Sequence, residues 1–517
     1  MALSSSQQSA ALAHLLRRAG FGASPSQWQE FERQGIAATT ESLLHPEKTR
    51  DHLDALLSEI GGDYVDFNDI NSVKEWWLYR MVHTRRPLEE KMTLFWHNHF
   101  ATANYKVDNA PRMWAQNQLF RRYGLGSFRT LLGQVARDPA MLVWLDGGEN
   151  RVGAPNENFG REVMELFTLG RGNGYTEKDV QEAARCFTGW RGADTPTGFV
   201  YDPTRHDDGE KTVLGRTGNW HTDDLVDILA AHPATAKTLC AKLFRFFVHD
   251  NPSEAQIERL SEVYFQNNFE IRAVLSAIFH SDDFYSDAAR WAKIKSPTEF
   301  AVMTIRELQA PLSAVGRLGD RLNQMGQDLF YPPNVRGWVE GRSWINTRTL
   351  LARVNFASTL AEEMNRRVSL LDRLRGFASS EAPINPSGAM NAPAMNSMGA
   401  AAMNSKGAAA MNSMSAPAMS SMSAPAMNAP AMNAPAMAPP TTSVAARAST
   451  AMPDAGGAVQ VLWDALFRGM EMPPATRAQL VAYVAGDKPE NLTKPIARDK
   501  LPGVVHLLVS LPEYQLC

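Results

Sequence analysis

Apolar side chains return every three to four residues along most of this 517-residue chain. The repeat is clear in VKEWWLYRMVH (73–83), PLEEKMTLFWHNHF (87–100) and IRAVLSAIFHSDDFY (271–285). This is the period of an α-helix that buries one face. Ser296 followed by Pro297 has the residue types that begin a helix. The sequence therefore predicts a mainly α fold, a multi-helix globular bundle.

One segment departs from the helical period. TGFVYDPTRHDDGEKTVLG (197–215) alternates polar and apolar residues and contains β-branched and aromatic side chains. Alternation of this kind is typical of a strand, and Asp208–Gly209 is a pair that suits a tight turn. The segment is predicted to form a short β-hairpin or an ordered loop.

A low-complexity stretch divides the chain into three parts. Units such as SAPAM and MNAPAM repeat there, charges nearly vanish, and 12 of the 23 methionines occur in it. This composition cannot bury enough apolar surface to offset the entropy of ordering. We predict a main helical domain at 1–376, a disordered Met/Ala/Pro-rich insertion at 377–456 and a C-terminal helical piece at 457–517. The C-terminal piece is expected to pack on the main domain, because a long loop insertion costs little closure entropy.

Composition excludes several classes of function. The net charge is −3, so no basic field favours nucleic acid. No uncharged apolar run is long enough to span a membrane. The N-terminus lacks the features of a secretory signal, which predicts a cytoplasmic protein. The three cysteines form no CxxC pair, which argues against disulfides and thiolate zinc sites.

The segment PNENFGREVMELFTLG (155–170) has two interpretations. Glu157, Arg161 and Glu165 are spaced four residues apart, as in a solvated ladder of ion pairs along a helix. Glu162 and Glu165 are three apart beside an apolar stripe, so their carboxylates could converge on a metal or share a proton. Both interpretations stay open at this stage.

The motif FWHNHF contains His97 and His99, separated by one residue. On a regular helix the two would point apart, whereas at a helix end they could share a face. Together with Glu162 and Glu165 they form the predicted metal ligands. This set of imidazoles and carboxylates suits a divalent metal such as zinc, iron or manganese. The alternative is one capping histidine and one hydrogen-bonded core histidine.

A third polar motif is RHDDGEKT, in which His206, Asp207 and Asp208 are adjacent. A histidine beside carboxylates can bind a metal or act as a general base, whereas Asp–Gly alone is a common turn. The predicted catalytic residues are Glu162, Glu165, His206 and Asp208. No GxSxG, HExxH, Walker or GxGxxG motif occurs in a fitting context, so the usual hydrolase, zinc-protease, nucleotidase and dinucleotide-binding classes lack support.

A loop-like stretch, MGQDLFYPPNVRGWVEGRSWIN (325–346), carries Trp338 and Trp344 among glycines, prolines and asparagines. Exposed tryptophans beside Arg and Asn would suit the binding of a polysaccharide. Buried tryptophans would instead anchor the loop.

Several long motifs, taken in order, resemble the bacterial domain-of-unknown-function family numbered 1800. The motifs are HLLRRAGFG (14–22), EKMTLFWHNHFAT (90–102), PAMLVWLDGGENRVGAPNENFGREVMELFTLG (139–170), YTEKDVQEAARCFTGW (175–190), HDDGEKTVLGRTGN (206–219) and MGQDLFYPPNVRGW (325–338). The resemblance implies a mostly helical fold and no established activity. It also implies export as an alternative location, and a phosphatase-like or sulfatase-like partner encoded nearby.

Two classes of function follow. The first is a metal-assisted hydrolase built on a polar metal-binding site. The second is a non-catalytic scaffold or partner of a phosphatase-like or sulfatase-like enzyme, or a polysaccharide-binding protein. Convergence of the four predicted ligands beside an open cleft, within about 5 Å of one another, would favour the first class, and their dispersal over the surface would favour the second. These ligands are His97, His99, Glu162 and Glu165.

Overall fold

The structure is a computed structural model that describes residues 4–51, 53, 65–192, 199–310, 317–367, 454–486 and 500–517. Within these ranges the fold is mainly helical, which confirms the prediction. The predicted insertion at 377–456 lies outside the described residues except for its last three. Of those three, Asp454 caps a helix that begins at Ala455, two residues before the predicted boundary at 457.

Ten α-helices precede the strands in the described part of the chain. They are α1 Ser5–Arg18, α2 Pro25–Leu44, α3 Ile70–His83, α4 Pro87–His99, α5 Asn104–Val107, α6 Ala110–Tyr123, α7 Phe128–Val135, α8 Pro139–Trp144, α9 Glu157–Glu162 and α10 Glu177–Cys186. A π-helix, Val163–Thr168, directly continues α9.

The helices that follow the strands complete the described fold. They are α11 Thr222–Ala230, α12 Pro233–Phe247, α13 Glu254–Gln266, α14 Ile271–Phe279, α15 Asp282–Tyr285, α16 Pro297–Leu308, α17 Leu318–Gln324, α18 Thr347–Arg367, α19 Ala455–Leu466, α20 Pro474–Ala485 and α21 Leu501–Ser510. The start of α16 is as predicted: the Glu299 N–H donates to the Ser296 hydroxyl at 3.2 Å, and the Ser296 N–H donates to the Glu299 carboxylate at 2.7 Å.

The described strands form two small antiparallel pairs between α10 and α11. Strand β1 (Trp190–Gly192) pairs with β2 (Phe199–Tyr201), and β3 (Lys211–Val213) pairs with β4 (Arg216–Gly218). The predicted turn at Asp208–Gly209 is wrong, because these residues precede β3. The chain reverses at Leu214–Gly215, whose φ angles of 51° and 74° lie in the left-handed region that both residues of a two-residue hairpin loop of this type require.

Helix α4 is held in the core by a fully buried carboxylate, that of Glu90. Arg80 of α3 donates to it at 3.0 Å, and Arg121 of α6 at 2.7 Å. The indole N–H of Trp77 donates to its second oxygen at 2.9 Å. These cations lower the pKa of Glu90 to about 2 although burial acts in the opposite direction. One carboxylate thereby joins three helices.

The first helix is joined to the end of the chain by a buried arginine, Arg18. Its guanidinium donates to the carbonyls of Phe246 and Phe247, each at 2.9 Å, and lies 3.0 Å from the sulfur of Cys517. Arg17 next to it donates to the Arg468 carbonyl at 2.8 Å. Residues on both sides of the 368–453 gap belong to one compact unit.

We predict that Glu90→Ala lowers the free energy of unfolding by about 3–5 kcal/mol, because the substitution removes the buried carboxylate that accepts from Arg80, Arg121 and Trp77. Chemical denaturation followed by circular dichroism measures this change.

The matched control is Glu30→Ala, which removes an exposed carboxylate 3.2 Å from Arg85. An exposed pair of this kind contributes about 1 kcal/mol or less. Equal losses in the two variants would contradict the role given to Glu90.

Candidate functional site

Among the residues that the structure describes, three side chains of metal-ligand type come together: His206, Asp208 and His221. One ligand atom from each lies within 4.8 Å of the others. His206 and Asp208 precede β3, and His221 stands directly before α11. The rings of the two histidines stack, with centroids 4.2 Å apart.

Hydrogen bonds determine which nitrogen of His206 carries its proton. Nδ1 lies 3.0 Å from the Thr188 carbonyl, which can only accept, so Nδ1 must donate. The Thr188 hydroxyl lies 3.1 Å from Nδ1. Because this hydroxyl donates its own hydrogen to the Arg185 carbonyl, it can only accept from Nδ1. The lone pair of the neutral ring is consequently on Nε2.

This Nε2 atom is buried and has no hydrogen-bond partner among the described residues. His206 is 5 % exposed. A buried polar atom without a partner is costly, so such an atom marks a place where a ligand can bind. Burial lowers the pKa of His206, and the charge of His221 adds to this effect. A neutral imidazole is the form that binds metals.

The neighbouring carboxylate, Asp207, is already bound by an arginine. It forms a two-point ion pair with Arg185, at 2.7 and 3.0 Å, and its N–H donates to the Thr188 hydroxyl at 2.8 Å. The Arg185 hydrogen bonds lower the pKa of Asp207 to about 2. Asp207 therefore holds the loop against α10. Asp208, which is exposed, is the carboxylate that remains available to bind a metal.

His221 is not among the residues predicted from the sequence, although the register of the hairpin indicates it. Lys211 pairs with Gly218. The same register, continued three residues outward from this pair, brings Asp208 opposite His221. With the turn predicted at Asp208–Gly209, Asp208 and His221 do not face each other. A turn at Leu214–Gly215 would have predicted that they do.

The predicted metal ligands on α4 have other partners. The Nε2 atom of His97 accepts the N–H of Phe330 at 3.0 Å, and its ring packs against Trp77 and Trp338. Burial lowers the pKa of His97 to about 3. The Nε2–H of His99 donates to the Phe167 carbonyl at 3.1 Å, and its Nδ1 faces the amine of Lys242 at 3.2 Å. His99 keeps no free lone pair.

The two predicted carboxylates lie near one another, Glu162 at the end of α9 and Glu165 in the π-helix. Glu165 faces Arg171 at 3.5 Å and Arg336 at 4.0 Å. Burial raises the pKa of Glu162, and the charge of Glu165 adds to the increase. Within the described residues, His97, His99, Glu162 and Glu165 form no group of ligand atoms around one point.

The ladder of ion pairs is present only in part. Arg161 pairs with Glu157 at 3.2 Å and with Glu177 at 2.6 Å. No ion pair between Arg161 and Glu165 occurs among the described residues, because the π-helix that begins at Val163 changes the angular spacing of the following side chains.

The two tryptophans of the 325–346 loop are buried, with 8 % of Trp338 and 5 % of Trp344 exposed. The backbone N–H of Trp338 donates to the side-chain oxygen of Asn98 at 2.7 Å. Both therefore anchor the loop, and the polysaccharide-binding alternative loses the exposed aromatic surface that it requires.

The family described as "Protein of unknown function (DUF1800)" matches the chain over residues 14–516. The chain belongs to this family. The match confirms the resemblance inferred from the motifs. No curated protein and no solved structure is significantly similar to this DUF1800 protein. None of its described helices is long and apolar enough to cross a membrane.

The buried histidine of α4 gives a pH prediction. The pKa of His97 is about 3 in the folded protein and about 6.5 when unfolded. The unfolded chain therefore binds the extra proton, and stability falls as the pH drops below about 6.5, by about 1.4 kcal/mol per pH unit. We expect the loss of unfolding free energy between pH 7 and 5 to be about 2 kcal/mol smaller in His97→Gln, which keeps an acceptor for the Phe330 N–H.

Urea denaturation of both proteins at each pH measures this difference. Other buried histidines are common to the two proteins and cancel in the comparison. The same pH dependence in wild type and variant would exclude His97 as the source.

Proposed function

We propose that this protein binds a divalent metal ion through His206, Asp208 and His221 and is a metal-assisted hydrolase. One observation carries the proposal: the buried Nε2 atom of His206 has no partner in the described structure, and a ring nitrogen of the same histidine lies within 4.8 Å of ligand atoms from Asp208 and His221.

The donor set supports this reading. Two imidazoles and one carboxylate suit zinc, iron or manganese better than copper(I) or calcium. Three protein ligands leave a coordination position open, which is typical of catalytic rather than structural sites. A divalent cation held by these residues would supply a Lewis acid that lowers the pKa of water toward neutrality.

The surroundings of His206 and Asp208 also fit a metal site. Histidine ligands commonly donate their second ring N–H to a carbonyl or carboxylate, which fixes the ring and its tautomer. Here the Thr188 carbonyl takes the Nδ1–H of His206. The ion pair between Arg185 and Asp207 holds the loop that carries Asp208. The chain's own part is to orient the ligands and keep the His206 ring neutral.

The metal-binding test uses protein freed of metal by a chelator and titrated with Zn²⁺ by calorimetry. We expect one equivalent to bind, and we expect His206→Ala, Asp208→Asn and His221→Ala each to weaken binding by at least tenfold. The control is His280→Ala, which removes an exposed histidine bonded to Ser276 and is expected to leave binding unchanged. Binding of equal strength in wild type and His206→Ala would exclude this site.

Hydrolysis is tested separately, on a panel of p-nitrophenyl carboxylate, phosphate and sulfate esters. Turnover that requires the metal and is lost in Asp208→Asn would support the hydrolase assignment. If metal bound stoichiometrically at His206 but no ester class were turned over, the metal site would be supported and the hydrolase assignment would be rejected.

A second candidate function, a non-catalytic scaffold or enzyme partner, is favoured by a different observation. Asn150 is fully buried, donates to the Ala184 carbonyl at 2.8 Å and accepts the Asn156 N–H at 2.9 Å. Asn156 in turn caps α9 through the N–H of Asn158. These motif residues therefore hold a loop in place and are not available to a substrate.

Asn150→Ala is expected to lower the free energy of unfolding by about 2–3 kcal/mol, because it removes both the hydrogen bond to the Ala184 carbonyl and the hydrogen bond from the Asn156 N–H. Zinc affinity is expected to stay the same where the variant is folded. A thermal melt and the titration above measure both quantities, and an unchanged melting temperature would contradict a loop-locking role.

A further inference from the structure

A cleft of about 300 Å³ lies away from the metal ligands, between α4, α12, the π-helix and the 335–340 loop. Its charged lining consists of Lys242, Arg245, Arg336 and Glu340, beside His99 and the apolar rings of Phe95 and Phe246. Three basic side chains against one acid give this cleft an excess of positive charge.

The π-helix determines the position of Lys242. The last carbonyls of a helix have no partner within it. Here the Leu166 carbonyl accepts from the amine of Lys242 at 2.8 Å, and the Phe167 carbonyl accepts from His99. Since the proton of His99 is on Nε2, its Nδ1 accepts the second N–H of Lys242 at 3.2 Å.

These two acceptors satisfy both N–H bonds of Lys242 in its deprotonated form. A neutral lysine has two N–H bonds and one lone pair, whereas the ammonium form has three N–H bonds and no lone pair. With both N–H bonds directed at Leu166 and His99, the lone pair remains for the cleft that Lys242 lines. Burial, together with the nearby charge of Arg245, lowers the pKa of Lys242 to about 8.

We propose that Lys242 is a carbonyl-reactive amine and that the cleft takes small aldehydes or ketones that carry a carboxylate. Arg245 lines the cleft and forms no ion pair among the described residues, so its guanidinium is available to such an anion. Arg336 adds a second positive charge at the side of the cleft next to Glu165.

The reaction is imine formation. The Nζ lone pair adds to the carbonyl carbon, the carbonyl oxygen takes up a proton, and the nitrogen loses one, giving a carbinolamine. Loss of this hydroxyl as water leaves a C=N bond between Lys242 and the ligand. Glu340 lines the same cleft, its pKa is raised by burial, and Asn98 donates to it at 3.2 Å. We assign to Glu340 the protonation of the departing hydroxyl.

The test traps the imine on the full-length protein. Sub-stoichiometric glyoxylate is added with cyanoborohydride, which reduces an imine to a stable amine, and peptide mass spectrometry locates the label. We expect Lys242 to be labelled at least tenfold faster than Lys237 at pH 8, with a pH midpoint near 8. Lys237 is the internal control because it is on the same helix, is exposed and pairs with Glu258 at 3.1 Å.

Two variants separate the parts of the proposal. Lys242→Arg keeps a donor for Leu166 and His99 but cannot form an imine, so the fast label must disappear while the fold is retained. Arg245→Ala must slow labelling by glyoxylate more than labelling by acetaldehyde, which lacks a carboxylate.

Labelling of Lys242 no faster than Lys237 would overturn the reactive amine. Equal slowing of both aldehydes in Arg245→Ala would overturn the preference for a carboxylate. Neither result depends on the metal site, because the two sites share no residue.

Discussion

The buried carboxylate of Glu90 is the constraint on which the rest of the helical assembly depends. A charge without solvent is tolerated only with opposite charge and hydrogen bonds around it. Arg80, Arg121 and Trp77 supply both, and they come from the two helices that flank α4. The orientation of α4 is thereby set, and with it the directions of His97 and His99 at its other end. A buried cation, Arg18, similarly joins α1 to the carbonyls at the end of α12.

Both proposed sites arise where regular structure is interrupted. The π-helix at Val163–Thr168 ends with carbonyls that accept from His99 and Lys242, so one irregular turn positions a buried amine at a cleft. The β3–β4 hairpin brings the chain back on itself and carries Asp208 toward His221. Irregular backbone of this kind is frequent at functional sites because it directs side chains where a regular helix cannot.

Helical periodicity and the motifs predicted the class of fold, the start of α16 and the family. They also singled out His206 and Asp208, which the structure brings together. The wrong turn assignment hid His221, because Asp–Gly is a stronger local turn signal than Leu–Gly. Nothing in the sequence distinguished Lys242 from the other lysines, since its properties come from burial and from two acceptors that lie far away along the chain.

The sequence by itself determined where helices form, because apolar spacing, caps and prolines act over a few residues. It also determined family membership, through motifs spread over residues 14–516. Only the tertiary structure decided which polar residues share a site. The spacing of His97 and His99 suggested joint ligands, yet α4 directs one toward Phe330 and the other toward Phe167. Burial and long-range partners fix protonation and direction, and neither is a local property of the chain.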